Sequence, residues 1–452
     1  MATIEIAARG KQVPRVLASS PSQSYLRPLT YLTTLFFMWG FITSLNDILV
    51  PHLKSIFDLN YTRVMLVQFA FFSAYFLFSI PWSKVVNRIG YQRTMVVGLV
   101  TMGIGAAVFV PAASATSFPL FLTALVILAA GITGLQVAAN PYVIALGKPA
   151  TASSRLNLTQ AFNSLGTTVA PQLGGLLILS AVPLTIEQLA KLSPQALQAY
   201  RVQMAASVKL PYIVISVALF LLGVAIAKLK LPKIEHGEET PGGKVTDSIW
   251  KHPNLIFGAL GIFAYVGAEV SIGSFMVNYF GQPEIAGFSP KVAAGYVSFY
   301  WGGAMIGRFI GAGVLQRIKT GRVLAFCAVS TAALVIISML TNGQVAMWSM
   351  IAVGFFNSIM FPSIFALGVA ELGPLTGTGS GLINMAIVGG AIVPLLQGVM
   401  ADHIGIHHAF LLPVICYLYI LFYAIKGSRP NSERYGKGQQ KVGSGRDYAV
   451  SR

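Results

Sequence analysis

Long apolar stretches separated by short polar clusters make up most of this chain. Residues 94–147, 156–186 and 323–370 contain no Asp, Glu, Lys or Arg. A helix needs about 20 apolar residues to cross a bilayer, so the first and third stretches are each long enough for two helices joined by a turn. The pattern predicts twelve membrane-spanning helices, spans 1 to 12, at 29–50, 64–84, 94–113, 118–146, 156–180, 210–229, 255–280, 292–315, 322–340, 345–372, 376–399 and 407–426.

The composition supports an all-α membrane protein. Of the 452 residues, 55% are hydrophobic and only 10% are charged, whereas soluble domains carry about 25% charged residues. The alternation of apolar and polar residues that is typical of membrane β-barrel strands does not occur. We therefore expect a helical protein that crosses the lipid bilayer many times.

The net charge of +17 follows the predicted topology and does not indicate nucleic acid binding. If both termini are cytoplasmic, 24 of the 31 Lys and Arg residues lie in cytoplasmic loops and tails, six lie outside and Arg308 lies within span 8. This distribution agrees with the positive-inside rule. The sequence predicts a multi-pass protein of the cell (inner) membrane with both termini in the cytoplasm.

The second half of the chain repeats features of the first. Asn140-Pro141 in span 4 is matched by Phe361-Pro362 in span 10, and residues 163–175 of span 5 resemble residues 384–398 of span 11. Two similar six-helix halves in one orientation are typical of transporters with parallel repeats, whose substrate site lies between the halves. The predicted order is a cytosolic N-terminal tail (1–28), an amino-terminal half (29–229), a cytosolic linker (230–254), a carboxyl-terminal half (255–426) and a cytosolic C-terminal tail (427–452).

Polar side chains inside the predicted spans are the candidates for function. Asp47 is a carboxylate in span 1, where a charge is costly and is usually functional. Gln136 and Asn140 lie four residues apart in span 4 and share one helix face, and Gln160 and Asn163 form a second polar stripe in span 5. Such amides can serve only to hold helices together. Because a proline follows the first pair and is expected to kink its helix, we favour a cavity.

Glu269 is a second carboxylate, 14 residues into span 7. The alternative to a substrate role is a structural ion pair with Arg308 of span 8. At a rise of 1.5 Å per residue the two differ in depth by about 10 Å, so the sequence favours a substrate role. Other polar and aromatic residues of the second half are expected to be core residues, namely Tyr296, Tyr300, Trp301, Asn357 and Asn384.

Motifs of other functional classes are incomplete. His403 and His407 are spaced by four residues, but no set of carboxylates or thiolates beyond Asp402 completes a metal site. No glycine loop followed by Lys-Ser or Lys-Thr is present to bind the phosphates of ATP, and no nucleophile–base pair falls at a workable depth in the spans. We expect neither an enzyme nor a bound metal or organic cofactor.

Four segments resemble the fucose–galactose–glucose:cation symporter family of the major facilitator superfamily. They are FFMWGFITSLNDILVPHLK at 36–54, AANPYVIALG at 138–147, SRLNLTQAFNSLG at 154–166 and YVGAEVSIGSF at 265–275. The resemblance implies the major facilitator fold, sugar/cation symport by alternating access, and a cation-coupling role for Asp47. The L-fucose/proton symporter branch has a glutamate at the position of Gln136 and a glutamine at the position of Glu269, and both departures resemble the glucose/galactose branch.

The resulting hypothesis is a secondary active importer of a neutral hexose such as glucose or galactose, working as a monomer. The substrate-binding candidates are Gln136, Asn140, Gln160, Asn163 and Glu269. Amides and a carboxylate match the donors and acceptors of sugar hydroxyls, and this set contains no Arg or Lys for a phosphorylated or acidic sugar. The alternatives are uptake of an N-acetylhexosamine or another neutral polyol, and a sugar sensor that does not transport.

The coupling ion is left open between sodium and the proton. Gln136 offers a neutral oxygen where the fucose branch has a group that can carry a proton. Asp47, with neutral oxygens nearby, suits a hard cation, which favours sodium by a small margin. These neutral oxygens are on Thr43, Ser44, Asn46, Thr133 and Asn140. An aspartate can equally carry a proton where its surroundings favour the protonated form.

Overall fold

The structure is a computed structural model that describes residues 26–57, 61–178, 192–229, 231–232 and 248–430, and it describes only the backbone for 26–27, 45–57, 61–68, 171–178 and 290. All regular structure in these residues is helical. The α-helices are α1 (Leu26–Phe57), α2 (Tyr61–Ile89), α3 (Tyr91–Ser114), α4 (Phe118–Ala145), α5 (Ala152–Ile178), α6 (Pro194–Ala206), α7 (Lys209–Lys228), α8 (Pro253–Phe280), α9 (Pro290–Arg317), α10 (Thr320–Leu340), α11 (Gly343–Asn357), α12 (Met360–Gly368), α13 (Thr376–Met385), α14 (Gly389–Ile404), α15 (Ile406–Ala409) and α16 (Leu411–Phe422).

The twelve predicted spans are confirmed. Nine helical stretches in the described part of the chain are long and apolar enough to cross a membrane, and α1, α5 and α9 occupy the positions of spans 1, 5 and 8. The helix α6 lies between spans 5 and 6, where the Ser193 side chain caps it by accepting a hydrogen bond from the Ala196 N–H. The exact boundaries of the linker and of the two tails lie largely outside the described residues and stay predictions.

The sequence predicts span 10 as one continuous helix, but the structure has two. Helix α11 ends at Asn357 and α12 begins at Met360. Because Pro362 has no N–H, the carbonyl of Ser358, four residues earlier, loses its helical donor. That carbonyl instead accepts a hydrogen bond of 3.2 Å from Nε of Arg308.

Span 11 is also divided. A short 3₁₀ turn at Ala386–Val388 separates α13 from α14. At Gly389, a side chain would overlap the backbone of Phe263 on α8, so the turn brings α14 against α8 at backbone distance. Since a single apolar run covers this region, the interruption carries little signal in the hydrophobic pattern.

The helix packing repeats between the two halves. In the amino half α1 packs on α5, and α3 packs on both α4 and α7; in the carboxyl half α8 packs on α14, and α10 packs on both α11 and α16. These are the same pairs of spans, offset by six. The predicted parallel repeat of two six-helix halves is therefore present in the packing as well as in the sequence.

The halves meet along α5 with α9 and along α2 with α13. One end of the bundle, which we call the basic end, carries the basic residues Arg88, Arg93, Lys148, Arg155, Lys251, Arg317, Lys319 and Arg322. Among the described residues, the hydrogen bonds that join the halves on this side include Asn87 Nδ2 to Thr378 Oγ1 (3.0 Å), Ser154 Oγ to the Ala312 carbonyl (2.6 Å), Thr320 Oγ1 to Ser153 Oγ (3.0 Å) and Ser380 Oγ to the Val137 carbonyl (3.0 Å). The basic end is thus closed in this conformation.

Glycine allows α1 and α5 to cross at backbone distance. A Cβ on Gly166 would overlap the carbonyl of Phe37, and a Cβ on Gly40 would overlap the backbone of Asn163. Small residues at such crossings are typical of membrane helix pairs.

We predict that Gly166→Ala destabilises the protein by about 1–3 kcal/mol, because overpacking a close contact forces backbone shifts. The measurement is the thermal unfolding midpoint of the detergent-solubilised protein. Gly295→Ala on α9 is the matched control, since its added Cβ meets no atom within 4 Å. Equal midpoints for the two variants would contradict the close crossing of α1 and α5.

Candidate functional site

Three of the predicted site residues are buried amides with unpartnered polar atoms. Gln136 is 3% exposed, Asn140 0% and Gln160 5%. Oε1 of Gln136, both polar atoms of Asn140 and Nε2 of Gln160 have no hydrogen-bond partner among the described residues. Leaving a buried polar group unpaired costs about 1–3 kcal/mol, so a ligand that supplied these bonds would be favoured.

These amides lie beside the junction of the two halves. Nε2 of Gln136 donates to the Tyr75 hydroxyl of α2 at 2.9 Å. The next residue, Val137, accepts a hydrogen bond from Ser380 of the carboxyl half. Val137 is four residues before Pro141, so its carbonyl has lost its helical donor in the same way as that of Ser358. Pro141, the proline expected to kink span 4, thus frees the carbonyl that makes this contact between the halves next to the candidate site.

Asn163 and Asp47 do not belong to this set of unpartnered amides. Nδ2 of Asn163 donates to the Phe36 carbonyl of α1 at 3.0 Å, so this group holds α1 to α5. Asp47 belongs to α1, but its side chain lies outside the described residues. A sugar contact of Asn163 and the ion-coupling role of Asp47 both stay predictions.

Glu269 lies next to Arg308, contrary to the depth argument. Oε1 of Glu269 is 3.9 Å from Nη2 of Arg308, and it accepts a hydrogen bond of 2.7 Å from the Tyr265 hydroxyl. The depth difference of the two backbones does not separate the charges, because the long stem of an arginine carries its guanidinium away from its own Cα.

Arg308 of α9 makes hydrogen bonds to the break in span 10 and to α5 of the other half. Its Nε donates to the Ser358 carbonyl and its Nη1 donates to Oγ of Ser164 on α5. Its own carbonyl accepts a hydrogen bond of 2.6 Å from Nδ2 of Asn157. From its sequence Arg308 is expected only as a possible ion-pair partner, although a lone charge inside a span is itself a signal of function.

The carboxyl half also buries polar side chains other than Glu269 and Arg308. Nδ2 of Asn357 donates to the Tyr300 hydroxyl at 2.9 Å, and both side chains are fully buried. Gln397, also fully buried, has no partner for either of its polar atoms among the described residues. Tyr300 and Asn357 are core residues, as predicted, whereas Gln397 is not among the predicted site residues.

A cavity of about 230 Å³ lies between the halves nearer the basic end. Its walls are mostly apolar and include Tyr91, Pro141, Ala366 and Glu371. None of the predicted substrate-binding residues lines it. The cavity is thus separate from the polar site, and we assign it no ligand.

The comparisons with known proteins agree with this architecture. The model of the Major Facilitator Superfamily matches residues 31–393. The chain belongs to the major facilitator superfamily. The glucose/galactose transporter of Brucella abortus biovar 1 (strain 9-941) is 53% identical over 411 residues, which cover 91% of this chain and 96% of that protein. The L-fucose-proton symporter of Escherichia coli (strain K12) is 36% identical, covering 89% and 93%.

The fold matches a solved sugar symporter as well. The crystal structure of FucP, the fucose:proton symporter of E. coli, in the outward conformation has a TM-score of 0.82 and 35% identity, covering 89% of this chain and 99% of that one. These relatives confirm the resemblance to the fucose–galactose–glucose:cation symporter family. The predicted fold class, twelve helices in two six-helix halves, is confirmed with it.

We predict that Glu269→Gln lowers the thermal unfolding midpoint, because it leaves the guanidinium of Arg308 without an opposite charge. The loss should be below the roughly 3–5 kcal/mol typical of fully buried pairs, since each side chain is 14% exposed. Adding Arg308→Gln to Glu269→Gln should recover part of the loss. Glu284→Gln, in an exposed loop, is the control. A double variant less stable than Glu269→Gln alone would contradict an electrostatic pairing.

Proposed function

We propose that this chain is a secondary active importer that couples the uptake of a neutral hexose, glucose or galactose, to the entry of a cation. The observation that carries the proposal is the set of buried amide atoms without partners at the junction of the halves. Sugar hydroxyls both donate and accept hydrogen bonds, so they complement such amides. Gln136, Asn140 and Gln160 are the residues we assign to sugar binding first.

The names of the relatives support this assignment. A glucose/galactose transporter is 53% identical to the chain and a proton-coupled fucose symporter is 36% identical. Both relatives are transporters and not enzymes. Because identity is higher to the glucose/galactose protein, and because Gln136 and Glu269 depart from the fucose branch, we favour an aldohexose over a 6-deoxy sugar.

We further propose an orientation and a transport step. The basic end faces the cytoplasm, in keeping with the positive-inside rule, and the protein lies in the inner membrane with both termini in the cytoplasm. The present conformation, closed at the basic end, then corresponds to the outward-facing state. Sugar and cation enter from outside, and the hydrogen bonds that close the basic end break when the halves rock to release them inside.

The remaining parts of the proposal concern the cation and the assembly. Asp47 binds or releases the coupling ion, which is sodium or a proton, and no other cofactor takes part. Asn163 and Glu269 complete the sugar site from α5 and α8. One chain forms a complete pathway between its two halves, so we propose that the transporter works as a monomer.

We predict that Asp47→Asn abolishes uphill sugar uptake while leaving sugar exchange partly intact, because an amide cannot change charge. Net accumulation is measured from labelled galactose or glucose added outside empty proteoliposomes, and exchange from the same label added outside vesicles loaded with unlabelled sugar. Asp402→Asn, an exposed carboxylate near the last span, is the control and should accumulate sugar normally. If Asp47→Asn still concentrates sugar, the coupling role is wrong; if the wild type binds sugar without any flux, the chain is a sensor.

We predict that a sodium gradient at fixed pH, with the membrane potential clamped, stimulates uptake and that Gln136→Ala removes the stimulation. The reason is that the neutral oxygen of Gln136 would belong to a hard-cation site with Asp47. Gln316→Ala, exposed on α9, should leave sodium stimulation unchanged. Full accumulation driven by a pH gradient in sodium-free buffer would make Asp47 a proton carrier instead.

A further inference from the structure

The guanidinium of Arg308 is fixed on two sides and open on the third. Its Nε donates to the Ser358 carbonyl and its Nη1 to the Ser164 hydroxyl. A guanidinium has five N–H groups, so three remain without a hydrogen bond from the described residues. Two of these three are on Nη2, which faces Glu269.

The carboxylate of Glu269 also has hydrogen-bonding sites that the described residues do not fill. Its carboxylate accepts one hydrogen bond among the described residues, from the Tyr265 hydroxyl, although an ionised carboxylate has about four acceptor sites. The distance of 3.9 Å between Oε1 and Nη2 exceeds the 2.7–3.2 Å range of an N–H···O hydrogen bond. A pair that served only to hold α8 to α9 would be expected to close this gap, because arginine and carboxylate groups form short, two-pronged hydrogen bonds where geometry permits.

One hydroxyl oxygen can bridge the two groups from beside them. An oxygen placed at a hydrogen-bond distance of about 2.8 Å from each group lies to one side of the line that joins these two atoms, which are 3.9 Å apart, and can bond to both. Such a hydroxyl would donate a hydrogen bond to Glu269 and accept a hydrogen bond from Arg308 at the same time. Both side chains are 14% exposed, and Ser164, bonded to Arg308, lies one helical turn from Gln160, so the gap adjoins the proposed sugar site.

We propose that Glu269 and Arg308 act together as a clamp for a single hydroxyl group of the sugar, so that Arg308 is a substrate-binding residue that determines specificity. This inference rests on the proposed function and adds to it a residue from α9. Both bonds of the clamp involve an ionised group, which makes them stronger than bonds between neutral groups. The transporter should therefore discriminate against sugars that lack one particular hydroxyl, or present it with the other stereochemistry.

Pro362 prepares the clamp without touching the substrate. Because it has no N–H, the Ser358 carbonyl is available to Arg308. Pro362 is therefore a positioning residue, and a restored N–H at position 362 would compete for that carbonyl.

The test measures equilibrium binding of D-galactose, D-glucose and their monodeoxy analogues to the purified protein. In the wild type, removing the clamped hydroxyl should weaken binding roughly 10- to 100-fold, as expected for a hydrogen bond to charged groups. In Arg308→Gln, and likewise in Glu269→Gln, the penalty for that one analogue should fall below about threefold, while the penalties at the other positions remain. Arg317→Gln, an exposed arginine of the same helix, should keep the wild-type pattern.

Two further variants separate binding from folding. If Arg308→Gln does not fold, the double variant Glu269→Gln/Arg308→Gln, which buries no unpaired charge, should show the same loss of discrimination at one position. Pro362→Ala should reduce that penalty in part, and Pro394→Ala on α14 should not.

The proposal is overturned if the Arg308 variants weaken binding of every analogue by the same factor, since a merely structural pair would act in that way. It is also overturned if the wild type shows no single position with a large penalty. Absence of any hexose binding to the folded wild type would instead contradict the proposed function itself.

Discussion

Inside a bilayer every backbone carbonyl needs a hydrogen-bond donor from the protein, because no water or lipid group replaces it. A proline within a helix takes one donor away. In this chain three of the freed carbonyls accept such a bond: that of Val137, opened by Pro141, accepts from Ser380, and that of Ser358, opened by Pro362, accepts from Arg308. The carbonyl of Thr167, four residues before Pro171 of α5, accepts from Ser44 of α1. Prolines thus determine the positions of these three polar contacts.

The same contacts explain how a membrane bundle can hold together and still move. The bonds across the basic end are single hydrogen bonds between neutral groups, each worth about 0.5–1.5 kcal/mol net, so a few of them can be exchanged when the halves rock. By contrast, the packing within each half relies on backbone-distance crossings such as that of α1 and α5. The polar groups of the proposed sugar site lie where these two kinds of contact meet, and a bound sugar would therefore act on the junction that has to open.

Much of the architecture follows from sequence, and the exceptions have physical reasons. Apolar runs of 20 or more residues predict the twelve spans, and the paired Asn140-Pro141 and Phe361-Pro362 motifs predict the repeat. Periodicity also identifies Gln136, Asn140 and Gln160 as a buried polar group. It does not reveal that span 10 breaks, that Asn163 donates to α1, or that Arg308 reaches Glu269. The two contacts depend on which neighbouring helix supplies a partner, and a one-dimensional pattern of helix faces and depths contains no such information. The break in span 10 lies next to Pro362, but the apolar run continues through it.

The central claim is that sugar and cation together open the basic end while the opposite end closes. The most direct measurement is the distance between spin labels on two pairs of exposed positions: Arg93 with Lys319 at the basic end, and Ser114 with Gln344 at the other. The native thiols, Cys327 and Cys416, are both buried and should not compete for the label. The account predicts that sugar plus the coupling cation lengthens the first distance and shortens the second in part of the molecules. Distances that stay single and unchanged under every condition, or that change in the same direction, would contradict it.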